Sequence, residues 1–176
     1  MSRSEERQAV IDQALFLATS NADMANIKTY LAEGANPNAP IEAGRSAFGV
    51  ALWLGMFDVA TDMIKHGANV NFQRDDGTGA PVWFASLFRD AVKDTTARTE
   101  FCIRHGADFT LPFTYGTRTV TVLEAIEEVR TVLNEQERAN LLTVRRLVET
   151  ELAIATRQRQ QQLGTLRRGD NRKYKL

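Results

Sequence analysis

The chain has a single cysteine, Cys102, among its 176 residues, so it can form no disulfide within itself. A protein without disulfides is typical of a reducing compartment, and no signal-like apolar core follows the charged residues 1–8, which favours a cytoplasmic location. No apolar run approaches the roughly 20 residues that would span a bilayer. The formal net charge is zero, so no field of the whole molecule argues for a nucleic acid or a membrane as partner.

What the chain does have is a three-residue phrase that recurs in phase. It reads Gly-Ala-Asn at 34–36, Gly-Ala-Asn at 67–69 and Gly-Ala-Asp at 106–108. The first interval is about 33 residues and the second is somewhat longer, and a period of this size indicates an array of helical repeats. Each glycine is predicted to end a helix in the left-handed conformation, and each Asn or Asp to close the following turn onto its own backbone.

Two segments carry further parts of the repeat. Residues 44–51 (GRSAFGVA) are predicted to open a first helix, and residues 67–71 (GANVN) follow a second one; residues 80–85 (APVWFA) open the next segment. This pattern resembles the ankyrin repeat, in which Gly-x-Thr-Pro-Leu-His-x-Ala opens two short helices and Gly-Ala-Asp-Val-Asn ends them. Ser46 stands where threonine is usual, and Pro81 matches the family proline. The resemblance implies an all-α solenoid of about four repeats with projecting hairpin loops.

The outer segments depart from the pattern. Helices at 6–19 and 23–33 are predicted to form an N-terminal cap, and extra residues are predicted within 88–97. The fourth segment lacks the glycine ending, and its last helix is predicted to run from Glu135 to about Gln160. We therefore expect an ankyrin-repeat domain at 1–150, followed by a helix extension and a basic tail at 151–176.

The few residues suited to catalysis occupy structural positions in this scheme. Cys102, with Tyr30 and Met63, falls in an apolar column before the glycine, so it is interpreted as a small buried hydrophobe. The only two histidines, His66 and His105, share one repeat position and are interpreted as caps of helix C-terminal carbonyls. No phosphate-binding loop or nucleophile motif is present. We therefore predict no enzyme, no cofactor and no metal site.

Ankyrin repeats bind partners through their loop tips and the concave side of their first helices, and the resemblance implies the same here. Large apolar side chains at such helix positions suggest an interface, although packing beneath the third-segment insertion or the last helix is the alternative for Trp53 and Phe88. The predicted partner-binding residues are Trp53, Leu54, Leu87, Phe88, Gln73, Arg74, Asp75, Asp76, Ile41 and Glu42.

The C-terminal segment is strongly basic. Residues 152–176 hold seven basic side chains and one acidic one (7 − 1 = +6), so the rest of the chain carries about −6. The glutamine-rich run at 158–162 and the later glycines, Gly164 and Gly169, favour a weakly structured tail. Phosphate binding, docking onto an acidic protein surface (including a second copy) and a solubilising role all stay open. The basic residues are Arg157, Arg159, Arg167, Arg168, Arg172, Lys173 and Lys175.

The sequence as a whole predicts a protein–protein interaction module of the adaptor, inhibitor or immunity type. One alternative is a structural component of a larger assembly, such as a phage particle or secretion machine, held by the basic tail. Another is a nucleic-acid-associated protein. The sequence identifies no partner, and self-association is compatible with it.

Overall fold

A computed structural model describes residues 2–73, 81, 95–115, 117–131, 133 and 135–173, and the side chains at 43, 115, 136 and 164–173 lie outside this description. The described chain is mostly helical. Its helices are α1 (Arg3–Ser20), α2 (Met24–Ala32), α3 (Ala47–Trp53), α4 (Phe57–Lys65), α5 (Thr95–Arg104), α6 (Val122–Arg130) and α7 (Glu135–Lys173). A 3-10 turn covers Glu42–Gly44, and strands β1 (Phe113–Tyr115) and β2 (Arg118–Val120) pair antiparallel.

The helices stack as an array. Helix α1 packs against α2 and α3, α3 packs against α4, and α7 packs against both α5 and α6. Gly34, Gly67 and Gly106 follow α2, α4 and α5 with φ values of 89°, 92° and 81°. The predicted left-handed glycine endings and the all-α repeat fold are therefore confirmed.

Several helices begin at a residue whose side chain satisfies a free amide group. Ser46 Oγ accepts a hydrogen bond from the Gly49 amide at 3.1 Å, so serine serves at α3 where the ankyrin pattern has threonine. Thr121 and Glu124 form a capping box at α6, in which each side chain accepts a bond from the other residue's amide. These caps set where α3 and α6 start and so keep the repeat in phase.

In the first segment, the turn between the two helices has alanine in place of the glycine found in the next segment. Gly55, between α3 and α4, has φ 70°, and Ala22, which stands one repeat period earlier between α1 and α2, has φ 54°. A left-handed alanine is strained by its Cβ, so the geometry of the repeat is imposed there on an unfavourable residue. The structure thus confirms a helix pair in a segment that lacks the glycine signal.

The core lies between the helices. Met63 and Cys102 are fully buried, Leu31 is buried, and Tyr30, Ile64 and Ile103 pack against the same core while partly exposed. The predicted apolar columns before each glycine are confirmed. Because the described helices share these side chains with their neighbours, they form one continuous core.

One prediction about the C-terminus is corrected by the structure. Helix α7 does not end near Gln160 but continues to Lys173, through Gly164 and Gly169 where a weakly structured tail was expected. A single glycine within a helix costs only about 1 kcal/mol, and the surrounding Gln, Arg and Leu residues are good helix formers. The expected boundary at residue 150 falls inside this unbroken helix.

Predictions for the third segment lie mostly outside the described residues. Of the opening at 80–85 only Pro81 is described, and it is buried. Of the predicted insertion at 88–97 only 95–97 are described, where α5 begins.

Candidate protein-binding surface

Asparagine side chains connect the turns of successive repeats. Asn38 Nδ2 donates to the carbonyl of Gly67 at 2.8 Å, and its Oδ1 accepts from the amide of Asn69 at 2.9 Å. One repeat further on, Asn71 makes the same pair of bonds to the Gly106 carbonyl at 2.8 Å and the Asp108 amide at 2.7 Å. We call this set of bonds the asparagine ladder. It fixes each turn against the next one along the array.

Each turn is also closed by the residue that follows its Gly-Ala pair. Asn36 Oδ1 accepts from the amide of Asn38 at 3.0 Å, and Asn69 Oδ1 accepts from that of Asn71 at 2.9 Å. Asp108 Oδ1 accepts from the amide of Thr110 at 2.9 Å in the third turn. The predicted closure of these turns onto their own backbone is confirmed.

Helix α1 supplies the first step of the ladder with two residues instead of one asparagine. Gln8 Nε2 donates to the Gly34 carbonyl at 3.1 Å, and Asp12 Oδ1 accepts from the Asn36 amide at 2.6 Å. Gln8 Nε2 also donates to Asp12 Oδ1 at 2.8 Å, which holds the pair together. Sequence reasoning missed this role because neither residue belongs to the recurring phrase.

Helix α7 contacts the last step of the ladder. Thr110 stands where Asn38 and Asn71 stand earlier, and its hydroxyl accepts from the guanidinium of Arg159 at 3.2 Å. Between this turn and α7 lies a groove of about 320 Å³, lined by Gly106–Thr110 and by one face of α7 that includes Leu152 and Arg159. Arg159, predicted as part of the basic tail, thus joins α7 to the repeat array.

The first projecting loop is a compact structure. The amide of Ile41 donates to the carbonyl of Arg45 at 2.8 Å, and Arg45 forms an ion pair with Glu42 at 2.7 Å. The Arg45 guanidinium also lies 5.9 Å from the centre of the Phe16 ring on α1. Glu42 is exposed, whereas Ile41 packs partly against the core. Of this predicted pair, Glu42 is therefore the side chain that a partner could reach most freely.

The second loop is described only at its start. Gln73 Nε2 donates to the carbonyl of Pro112 at 3.1 Å, which joins this loop to the one that follows α5. The other predicted loop residues, Arg74, Asp75 and Asp76, lie outside the described residues.

The end of α3 carries two of the predicted apolar contacts. Leu54 is 42% exposed, and Trp53 beside it is half-buried. The fully covered residues of α3 precede them and are Ala47, Phe48, Val50, Ala51 and Leu52. Leu54 is therefore the more accessible of the two, and the predicted Leu87 and Phe88 lie outside the described residues.

The β1–β2 hairpin projects between α5 and α6. Phe113 is buried at its base, while Arg118 is exposed and pairs with Glu128 of α6 at 2.8 Å. Glu127, also on α6, pairs with Arg145 of α7. These ion pairs connect the hairpin, α6 and α7 along their exposed sides.

The second half of α7 is mostly exposed, although Arg159 contacts Thr110 of the array. Residues 156–163 are exposed, and the described basic side chains there are Arg157 and Arg159. Arg167, Arg168, Arg172 and Lys173 belong to the helix, but their side chains lie outside the described residues, as does Lys175 altogether. Positive charge is therefore carried on a projecting helix.

Three carboxyl groups on the helices have lowered pKa values. The hydrogen bond from Lys65, at 2.6 Å, lowers the pKa of Asp62, and the backbone amide of Thr121, at 2.7 Å, lowers the pKa of Glu124. The backbone amide of Asn26 lowers the pKa of Asp23, the N-cap of α2. These shifts follow from caps and a surface ion pair, which are structural causes.

The two histidines make different local contacts. His66 Nδ1 lies 2.8 Å from the carbonyl of Asp62, as predicted for a cap, and the His105 ring packs 4.3 Å from the Phe101 ring. Within the described residues no group of three or more His, Cys, Asp or Glu side chains is placed to hold a metal ion. Among the described helices, none combines the length and the apolar content needed to cross a membrane.

Fold and turns together define an ankyrin-type helical repeat scaffold. No protein-family model matches the chain. Among known proteins, the chain is 37% identical over 83 residues to human "Ankyrin repeat and SOCS box protein 14" and 40% identical over 83 residues to its mouse counterpart. The match covers 46% of this chain but only 13% of either relative.

The chain is also similar in sequence to bovine "Dynein axonemal heavy chain 12". It is 32% identical over 102 residues, which are 57% of this chain and 26% of that protein. The chain thus corresponds to about a quarter or less of each relative that it matches. The similarity to the human and mouse ankyrin-repeat proteins supports ankyrin repeats in part of the chain.

Proposed function

We propose that the chain is a protein-binding module of the adaptor, inhibitor or immunity type, which acts by binding and not by catalysis. The observation that carries this proposal is the asparagine ladder. Because it holds each described turn in register with the next, these turns are fixed before a partner arrives, and binding costs less conformational entropy. The similarity to ankyrin repeat and SOCS box protein 14, whose name includes the repeat, supports the same class of function.

The surface proposed for the partner combines the first loop with the end of α3. Glu42 offers an exposed carboxylate and Leu54 an exposed apolar side chain, and both belong to the same repeat. Trp53 adds an aromatic group beside Leu54, a residue type enriched at interface hot spots. The predicted contributions of Leu87, Phe88 and 74–76 extend this proposal to the neighbouring repeat.

The test uses matched apolar-to-acid substitutions. The wild-type chain is immobilised, its partner is captured from cells of the source and identified, and binding is then measured with purified Leu54→Asp. The control is Leu142→Asp on α7, because Leu142 is 48% exposed and lies on another element. We expect Leu54→Asp to weaken binding at least about tenfold and the control to bind normally. Equal affinity of the two variants would contradict the proposed surface.

A contact of the α7 extension with an acidic protein surface is a second candidate function. It is favoured by the continuous helix, whose residues 156–173 would span about 27 Å at the α-helical rise. Removing 156–176 distinguishes the cases: loss of the partner supports the α7 contact, whereas retention supports the loop and α3 alone. Tight binding to DNA or RNA that disappears steeply with salt would favour a nucleic-acid role instead.

A further inference from the structure

Helix α7 is much longer than the helix beside it. It has 39 residues, whereas α5 has 10, and the two helices pack against each other. The extra length carries α7 past the end of α5 and along the turn at 106–110, where Arg159 contacts Thr110. The exposure of residues 156–163 therefore follows from the difference in length between two helices of the described chain.

One stripe of α7 runs from its buried half into its exposed half. The members of the stripe are spaced by three or four residues, and they are Leu141, Val144, Val148, Leu152, Ala155, Arg159 and Leu163. Val148 is fully buried, Leu152 packs partly against the core, and Leu163 is 60% exposed. The face that holds α7 on the array thus continues beyond the last turn that covers it.

The groove of about 320 Å³ between α7 and the third turn lies where this stripe leaves the array. Leu152, Ala155 and Arg159 line it on the α7 side, and Ala107 and Phe109 line it on the side of the turn. A helix with its side chains is about 10–12 Å wide. A groove of this size therefore receives apolar side chains of an occupant and not its backbone.

Charge changes along the stripe. At the groove the charges are mixed, because Asp108 and Glu151 lie there together with Arg159. Beyond it, no acidic side chain occurs from residue 152 to residue 169, and Asp170 is the one acid that follows. The basic residues of the helix at 152–173 are Arg157, Arg159, Arg167, Arg168, Arg172 and Lys173, so this stretch carries +5 (6 − 1 = +5). Electrostatic complementarity therefore favours an occupant with acidic side chains.

The stripe also indicates the shape of its occupant. In the buried half of α7, the partners of α7 are the helices α5 and α6. A row of side chains at three- and four-residue steps forms the ridges and grooves into which another helix packs. From Leu152 to Leu163 the stripe is about 17 Å long, which corresponds to about three turns of a helix.

We propose that the exposed half of this stripe binds an acidic amphipathic helix of a partner protein. The apolar side chains of that helix contact Leu163 and enter the groove beside Leu152, and its acidic side chains lie beside the basic residues of α7. This inference rests on the second candidate function above and names the kind of partner that it requires. One helix pair buries less than a standard protein interface, so we expect a Kd in the micromolar range.

The first experiment measures binding of the purified full chain to a fluorescent synthetic peptide by anisotropy. The peptide is about 20 residues long, enough to form a helix, with leucine at three- and four-residue steps and glutamate at the flanking positions. One control peptide has the same composition in scrambled order, and another has lysine in place of glutamate. We expect a Kd of about 1–100 µM for the acidic amphipathic peptide and at least about tenfold weaker binding of both controls.

The second experiment compares two substitutions that change the charge equally. Leu163→Asp introduces a carboxylate on the stripe, and Gln161→Asp introduces one on the opposite face of the same helix, where the side chain is also exposed. We expect Leu163→Asp to weaken binding of the acidic peptide at least about tenfold and Gln161→Asp to weaken it less than about threefold. Circular dichroism should show that both variants remain folded, because both side chains are exposed.

A third pair of variants tests the groove. Ala155→Trp places a large side chain in it, whereas Ala153→Trp places the same side chain at an exposed position of α7 outside its lining. We expect only Ala155→Trp to weaken binding of the acidic peptide, by at least about tenfold. If Ala155→Trp loosens α7, the comparison of Leu163→Asp with Gln161→Asp decides the matter by itself.

Several results would overturn the proposal. They are no binding of the acidic peptide up to about 100 µM, equal binding of the scrambled peptide, or equal losses for Leu163→Asp and Gln161→Asp. A DNA duplex that binds more tightly than the peptide and tolerates Leu163→Asp would assign α7 to a nucleic acid. A dimer of the chain alone that Leu163→Asp dissociates would assign the stripe to a second copy.

Failure of this inference is distinguishable from failure of the second candidate function. If the peptide does not bind but removal of 156–176 still abolishes capture of the partner, the α7 contact stands and only the helical, acidic occupant is wrong. If the captured partner is retained without 156–176, the second candidate function itself is wrong.

Discussion

Replacing Asn38 with alanine removes one full step of the asparagine ladder. The side chain loses its bonds to the Gly67 carbonyl and the Asn69 amide, which are 2.8 and 2.9 Å long and link the first two turns. Each such bond contributes about 0.5–1.5 kcal/mol net, and water can replace part of it because both bonds are exposed. We therefore expect the free energy of unfolding to fall by about 1–2 kcal/mol, which lowers Tm by roughly 2–8 °C for a chain of this size.

The measurement is urea unfolding followed by far-UV circular dichroism, with thermal melting as a second readout. Asn38→Asp separates the two bonds, since its carboxylate still accepts from the Asn69 amide but repels the Gly67 carbonyl. Asn71→Ala removes the next step. Because Asn69 bonds to both asparagines, through its amide to the Asn38 side chain and through its side chain to the Asn71 amide, the two losses should couple, and the double variant should depart from additivity by about 0.5 kcal/mol or more. The control is Gln160→Ala, which changes an exposed amide side chain of α7. A loss for Asn38→Ala no larger than that of the control would refute the structural role of the ladder.

Two further predictions concern helix ends, and a third concerns the contact between α7 and the array. Gly67→Val should lower the free energy of unfolding by about 1–2 kcal/mol in urea unfolding. The penalty is conformational, because φ is 92° and an added Cβ would meet nothing within 4 Å. Gly67→Asn should be tolerated better, and equal losses for the two variants would contradict this reasoning. The pKa of Glu124 is lowered by the Thr121 amide, so its folded carboxylate stabilises the chain above the ordinary glutamate pKa of about 4.3, and this stabilisation is lost as the pH falls through the lower folded value. The stability difference between wild type and Glu124→Gln should therefore be present at pH 7 and shrink on acidification; a difference independent of pH would argue against the cap. Arg159→Ala should speed amide hydrogen exchange in the second half of α7 without changing that of α2, because it removes the contact with Thr110; unchanged exchange in α7 would show that this contact does not hold the helix.

The sequence allowed the array itself to be predicted because its signals are local. A glycine at a helix end, an asparagine that closes its own turn and an apolar column before the glycine depend on a few neighbouring residues. Gly67 and Met63 therefore have the roles that the repeat phrase indicated. The ladder residues Asn38 and Asn71 recur at the same interval as the first two glycines of the phrase. This recurrence could have predicted that they have a shared role, but the sequence interpretation of the turns did not use it.

The ends of the array could not be predicted in the same way. Gln8 and Asp12 reach the first turn from α1, and Arg159 reaches the last turn from α7. None of the three recurs at the repeat interval, so no spacing marks them. Similarly, the exposure of Leu54 and the half-burial of Trp53 depend on which helices lie alongside. A sequence pattern shows that a residue is apolar but not which neighbour covers it.

By itself, the sequence determined the repeat: its period, its glycine-closed helix ends, its apolar columns and the excess of positive charge after residue 151. These properties follow from local backbone preferences and from the shared burial of short helices. Only the tertiary structure decided how the turns bond to one another, how α7 contacts Thr110, and which part of α7 stays exposed. These depend on contacts between residues far apart in the chain, where distance and direction in space decide the outcome.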